Sequence, residues 1–177
     1  MLQTDRWGRL VPAEARFPSS RGGVGFKQIA DEVHARGLKF GLHVMRGIPR
    51  QVVEEDMAIC GGRFRAREAA NQESTCPWLN HMVGVRVDAP AGRAYYDSLF
   101  ELYASWGVDF VKVDDILADG TFDSQGPYHA EEIEAIAGSI ERCGRPMVLS
   151  LSPGDAPRSA AAHVSRFASM WRISADF

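Results

Sequence analysis

Cysteine is scarce in this chain: three residues in 177, Cys60, Cys76 and Cys143, with no CxxC pair among them. That spacing excludes a structural zinc site of the usual kind and leaves room for one disulfide at most. No apolar run approaches the ~20 residues that span a bilayer. The longest, such as Val108 to Val113, are strand-sized. No long basic run accompanies the net charge of −3, which argues against nucleic acid and anionic membrane as partners. Met1 is not followed by a basic and then apolar segment, so nothing visible directs export. GxSxG, P-loop and HExxH motifs are all missing. Gly22-Gly23-Val24-Gly25 is glycine-rich, but no strand precedes it, so it lacks the setting of a phosphate cradle. What is present is an ordinary globular balance, 45% hydrophobic and 24% charged, in a length that suits one domain over residues 1–177.

The pattern alternates between helix and strand. Residues 1–25 are irregular, broken by Pro12, Pro18, Gly22 and Gly23. Phe26, Ile29, Ala30 and Val33 then form an amphipathic stripe that ends at Gly37. Leu38 to Met45 reads as a buried strand. Residues 46–91 are punctuated by glycine and proline; a connection this long carries function or small elements of its own. Tyr95, Leu99, Leu102 and Trp106 mark a second helix, and 108–114 a second strand. Ile133, Ile136, Ala137 and Ile140 mark a third helix, whose first turn holds Glu131, Glu132 and Glu134 near the positive end of its dipole. A strand over 146–152, a weaker helix over 158–167 and a short strand over 170–173 follow. Repeated strand–helix units imply a parallel sheet covered by helices. A doubly wound sheet and a (β/α)8 barrel both fit, and four strands would be half of a barrel that typically needs ~250 residues.

In such folds chemistry gathers at the carboxyl ends of strands. Those ends carry His43 and Arg46; Lys112, Asp114 and Asp115; Ser150, Ser152 and Asp155; and Arg172 and Asp176. Lys112 and Asp114 are two apart on one strand, so they share a face, while Asp115 points the other way. A lysine and a carboxylate side by side are either a structural ion pair or a working pair. Asp176 is either a helix cap or the partner of Asp114. Two carboxylates across one cavity suit glycoside hydrolysis, one as nucleophile and one as acid/base. Arg172 would hold sugar hydroxyls or neutralise the carboxylates. His43 binds substrate or is a satisfied interior residue. Trp7, Trp78 and Trp171 stack on sugar faces or pack in the core and loops.

Four blocks carry a family resemblance. They are Arg16-Phe17-Pro18 with Lys27, Ile29-Ala30-Asp31, Val33-His34 and Gly37 to Leu42; Trp106 to Asp114; Gly144 to Ser152; and Trp171 to Asp176. In this order they resemble the α-galactosidase (melibiase) group, glycoside hydrolase family 27, over almost the whole chain. The resemblance implies part of a (β/α)8 barrel, roughly strands three to six, and a retaining mechanism. Asp114 would be the nucleophile and Asp176 the acid/base, with Lys112 and Arg172 on the sugar and the carboxylates. His43, Ser152 and Trp78 would complete the sugar site. The expected partner is a carbohydrate, most simply a terminal α-galactoside, and no cofactor and no metal are called for.

Several positions depart from the family pattern. His43 stands where a tyrosine is common, and Pro153-Gly154 where a Glu-Trp pair often lies near the sugar 2-position. Ile116 replaces a cysteine two residues after the nucleophile, so no bridge from Cys76 to that position is expected. The chain starts after the family's early galactose-gripping strands and ends one residue past Asp176, so as an isolated segment it is expected to be nearly inactive. A related sugar such as β-L-arabinopyranose is an alternative. So are an inactive sugar-binding segment and a Mg²⁺ site on Asp114, Asp115 and Asp119, although the first two face opposite sides of the strand. Resembling proteins are secreted, periplasmic or lysosomal, and the compartment of this one is left open.

Overall fold

The computed structural model describes residues 2–117 and 127–174. After 3-10 turns over Pro18–Gly23, helix α1 spans Lys27–Ala35 and strand β1 Gly41–Met45. The next segment is built from short pieces: β2 (Ile48–Pro49), α2 (Arg50–Glu54), β3 (Ala58–Ile59), β4 (Phe64–Arg65), α3 (Ala66–Ala69), β5 (Ala70–Thr75) and β6 (Met82–Val85). Then come α4 (Pro90–Trp106), β7 (Phe110–Asp114), α5 (Ala130–Arg142), β8 (Val148–Leu151), α6 (Ala161–Phe167) and β9 (Met170–Trp171).

Strands β1, β7, β8 and β9 form one sheet in that order, and every pairing is parallel. The four strands read from the sequence are therefore adjacent as expected, but each is shorter. The first begins at Gly41 rather than Leu38. The Asp109 carboxylate takes the Phe40 amide and the Asp109 amide donates to the Phe40 carbonyl, which closes the ladder off there. Residues 46–91 form two small antiparallel sheets, β2-β6-β5 and β3-β4, outside the parallel one.

The register assigns the two faces of the sheet. His43 lies beside Lys112, which lies beside Ser150, which lies beside Met170. The alternate residues Val111, Val113, Leu149 and Leu151 are buried and belong to the core. That core is closed by Tyr95, Tyr96, Leu99, Phe100, Tyr103 and Trp106 of α4, Ile133 and Ile136 of α5, and Val164 of α6. Pro90 opens α4 at a position that needs no amide donor, and Gly107 ends it in the left-handed region. Helices α1, α4, α5 and α6 pack on one another in chain order. No helix among the described residues is long and apolar enough to cross a membrane. The face opposite the helices, at the carboxyl ends of the strands, is where the polar side chains collect.

Candidate active site

Period-two alternation puts His43 and Met45 of β1, Lys112 and Asp114 of β7, and Ser150 and Ser152 at β8 on one face. Met170 pairs with Ser150, so Arg172 falls on that same face by the same alternation, while Trp171 pairs with Leu151 and packs against the core. Trp171 is therefore a packing residue, not a stacking platform. The Arg172 amide donates to the Leu151 carbonyl at 3.3 Å, which fixes its backbone beside Ser152.

Asp114 is the centre of this group. Its Oδ2 lies 3.3 Å from His43 Nε2, and the carboxylate is 17% exposed against 55% for the His43 side chain. Oδ1 is buried and has no hydrogen-bond partner among the described residues; nor has Ser152 Oγ. Lys112 forms no ion pair with Asp114, so the structural-pair reading of these two residues does not hold. A buried carboxylate oxygen without a donor is costly in an idle position.

Asp115 faces the other way, as the alternation requires. It is 3% exposed and adopts φ 60, in the left-handed region. Its carboxylate meets the buried Arg46, with Nη2 to Oδ2 at 2.9 Å, and Arg46 Nε donates to the Asp115 carbonyl at 2.7 Å. Arg46 Nη1 reaches Glu132 Oε1 at 2.6 Å and Ser74 Oγ at 3.0 Å. Tyr96 donates its hydroxyl to Glu132, and the Gly47 amide donates to Tyr96 Oη at 3.2 Å. Burial pushes Asp115 and Glu132 above the usual carboxylate range, against the pull of Arg46. Burial lowers Arg46, but Glu132 and Asp115 outweigh it and the net direction is up. His129 Nε2 is also without a partner among the described residues; burial, then the Arg46 charge, bring that ring down to about 3, so it is neutral.

Arg46 and Glu132 are the residues that sequence reasoning undervalued. Glu132 was assigned to the helix dipole, yet it lies on the buried stripe with Ile136 and Ser139. A carboxylate at i of an i, i+4, i+7 buried row is the signal that marks it. The Mg²⁺ reading loses Asp115 to Arg46, and Asp119 lies outside the described residues. Asp176 also lies outside the described residues.

All three cysteines are free thiols. Burial pushes the Cys76 thiol up from its usual value, with the Trp78 backbone and Asp115 among the neighbouring groups that act on it. The thiol thus sits near the turn after β7, where Ile116 offers no sulfur. This also brings the Trp78 backbone to the carboxyl end of β7, and the Trp78 side chain is exposed.

No protein-family model matches the chain. Among curated proteins, α-N-acetylgalactosaminidase of Gallus gallus is 31% identical over 150 residues, covering 85% of this chain and 26% of that protein. Among solved structures, a family 27 β-L-arabinopyranosidase of Geobacillus stearothermophilus is 52% identical with a TM-score of 0.94, covering 100% of this chain and 40% of that chain. The chain belongs to glycoside hydrolase family 27. Its parallel sheet is part of the family's (β/α)8 barrel. An aspartate-to-alanine variant of the Geobacillus enzyme, in complex with arabinose, has the same TM-score of 0.94. The chain spans about a quarter of the length of the curated family 27 relatives it matches. In this family setting the polar face described above lies at the carboxyl ends of barrel strands, where a (β/α)8 enzyme keeps its active site.

Proposed function

We propose that this chain carries the nucleophile side of a retaining glycosidase site. Asp114 attacks the anomeric carbon and Asp176 serves as acid/base, protonating the leaving oxygen and then deprotonating water. Lys112, Arg172, His43 and Ser152 bind sugar hydroxyls, and Trp78 borders the site from the 46–91 segment. The observation that carries this reading is Asp114 itself. It has one oxygen beside His43 and the other buried without a donor among the described residues. A nucleophile needs an oxygen that no donor holds back, and the retaining geometry asks for the second carboxyl at ~5–5.5 Å.

Two sugars fit, a terminal α-galactoside and a β-L-arabinopyranoside. They share ring configuration and differ by one hydroxymethyl group. The TM-score of 0.94 to the Geobacillus arabinopyranosidase, over the whole of this chain, favours the second. One substituent of that size in a fitted pocket is worth roughly 10–200-fold in kcat/KM. The test uses the full-length protein with aryl glycosides of both sugars. Arabinopyranoside is expected to be preferred, with product of retained configuration seen by NMR at early times. Asp114→Asn is expected to lose turnover by several orders of magnitude. Asp176→Asn should slow substrates with poor leaving groups far more than activated aryl glycosides. Wild-type turnover by Asp114→Asn, or inverted product, overturns the assignment.

A further inference from the structure

Strand β7 ends at Asp114, and Asp115, which follows it and faces the other way, has no obvious reason to be charged. Asp115 is buried with Arg46 and Glu132, two carboxylates around one guanidinium. Buried ion groups of this kind are poor stabilisers, since well-packed apolar residues serve a core as well or better. Part of the network holds the main chain at the end of β7. The Arg46 amide donates to the Asp114 carbonyl at 3.0 Å, and Arg46 Nε donates to the Asp115 carbonyl at 2.7 Å. One residue thus holds two successive carbonyls, those of Asp114 and of the residue after it. Between them, Asp115 is kept at φ 60, a conformation most side chains avoid.

The network also reaches into the 46–91 segment. Ser74 accepts from Arg46, and the Val85 amide donates to Glu132 at 3.3 Å. Gly47 sits at φ +100, where a Cβ would lie 2.1 Å from the Val83 carbonyl oxygen, so the chain after Arg46 is pressed against β6. The guanidinium is therefore gripped from α5 and from β5 before it grips the end of β7.

We propose that Arg46 and Asp115 are positioning residues for Asp114: their buried fork, anchored by Glu132, fixes the left-handed turn that aims the Asp114 carboxylate across the concave face. This rests on Asp114 being the nucleophile. It adds that the aim of that carboxylate is set from behind the sheet, by residues that never touch sugar. Reactivity is steep in such geometry, and a misplacement of about 1 Å costs on the order of 10²-fold.

The test uses the full-length protein and an activated dinitrophenyl glycoside of the preferred sugar. The single-turnover rate and the Kd of the free monosaccharide are measured alongside Tm. Asp115→Ala removes the fork's acceptor and places alanine in the left-handed region. It is expected to lower the single-turnover rate by ~10²-fold while leaving the monosaccharide Kd within about twofold. Asp115→Asn keeps an acceptor oxygen and tolerates that φ, so it recovers most of the lost rate. If Asp115→Ala fails to fold, Arg46→Lys serves instead. It keeps the buried charge, but one ammonium nitrogen cannot span the separate positions that Nε, Nη1 and Nη2 hold between Asp115, Ser74 and Glu132, and the same loss is expected. Asp114→Gly with azide tests the nucleophile separately, because azide entering the vacated space yields a glycosyl azide of inverted configuration. If that product forms while Asp115→Ala or Arg46→Lys reacts at the wild-type rate, or loses only Tm, the positioning role is overturned and the nucleophile stands. If Asp114→Gly turns over without azide, the nucleophile assignment falls and this proposal falls with it.

Discussion

Asp109, at the amino end of β7, should make stability pH-dependent in a way that one substitution isolates. Burial raises its pKa, but donors outweigh burial: the Phe40 amide at 2.9 Å, His34 Nε2 at 2.7 Å and Arg145 Nη2 at 2.7 Å bring it down to about 2. The carboxylate is 11% exposed, so solvent screens these contacts little. An aspartate that titrates at about 2 when folded, against 3.8 when unfolded, favours the folded state by roughly 2 kcal/mol at neutral pH. The folded-state pKa is depressed, so this contribution is fully present above pH 3.8. It declines as pH falls toward about 2, where the folded protein also takes up the proton. Asp109→Asn keeps the shape and one acceptor oxygen but removes the charge. Urea unfolding of wild type and variant at several pH values from 7 to 2 is the assay. Wild type should be the more stable at pH 7 by about 2 kcal/mol, and the gap should narrow through the acid range. A gap that stays constant from pH 7 to 2, or widens in acid, would show that the charge of Asp109 is not what its donors stabilise.

Two further outcomes follow from packing. Gly25 stands at φ +59, and a Cβ there would lie 2.1 Å from Trp106 Cε2 and Nε1, a ring that is itself buried. Gly25→Ala should cost about 2–4 kcal/mol, summing left-handed strain and overpacking; a fall in Tm too small to resolve would contradict this. Tyr96→Phe leaves the Gly47 amide without its acceptor and Glu132 without the hydroxyl donor. The expected loss is about 1–3 kcal/mol by chemical denaturation, and an unchanged midpoint would mean that water takes the place of the hydroxyl.

The sequence was most informative where period alone decides. Lys112 and Asp114 had to share a face, and Asp115 had to face away, whatever the tertiary structure. The apolar stripe of α4 and the order of the four parallel strands were legible for the same reason. Strand starts were not, because Asp109 replaces ladder bonds around Phe40 through its side chain, which no periodicity encodes. Nor was the Arg46 network. Its partners are 28, 69 and 86 residues away in sequence, a separation that no local periodicity reports. Glu132 was open to better reading, since it falls in register with Ile136 and Ser139, but the dipole argument offered a sufficient explanation and stopped the search. For Trp171 the sequence left stacking and packing both open, because its facing depends on the pairing with Leu151, a tertiary fact.

The two ends of β7 show how one strand serves stability and chemistry by opposite electrostatics. At the amino end Asp109 is surrounded by donors and strongly acidic, so its charge belongs to the folded state. At the carboxyl end Asp115 is buried with a second carboxylate, and its pKa rises in spite of Arg46. The first arrangement stabilises the fold and lies on the face of a (β/α)8 barrel where stability residues belong; the second lies on the face where catalysis belongs. An arrangement selected for stability alone would place more donors around Asp115 or replace the trio with apolar side chains. What the trio provides instead is a hold on two successive carbonyls, those of Asp114 and Asp115. The Asp114 carboxylate that projects from there keeps one oxygen clear of every donor among the described residues. Rigid support behind a carboxylate with one oxygen free of donors is what the nucleophile proposed at Asp114 would require, and on that proposal the helix-side network serves the site as much as the side chains on its open face.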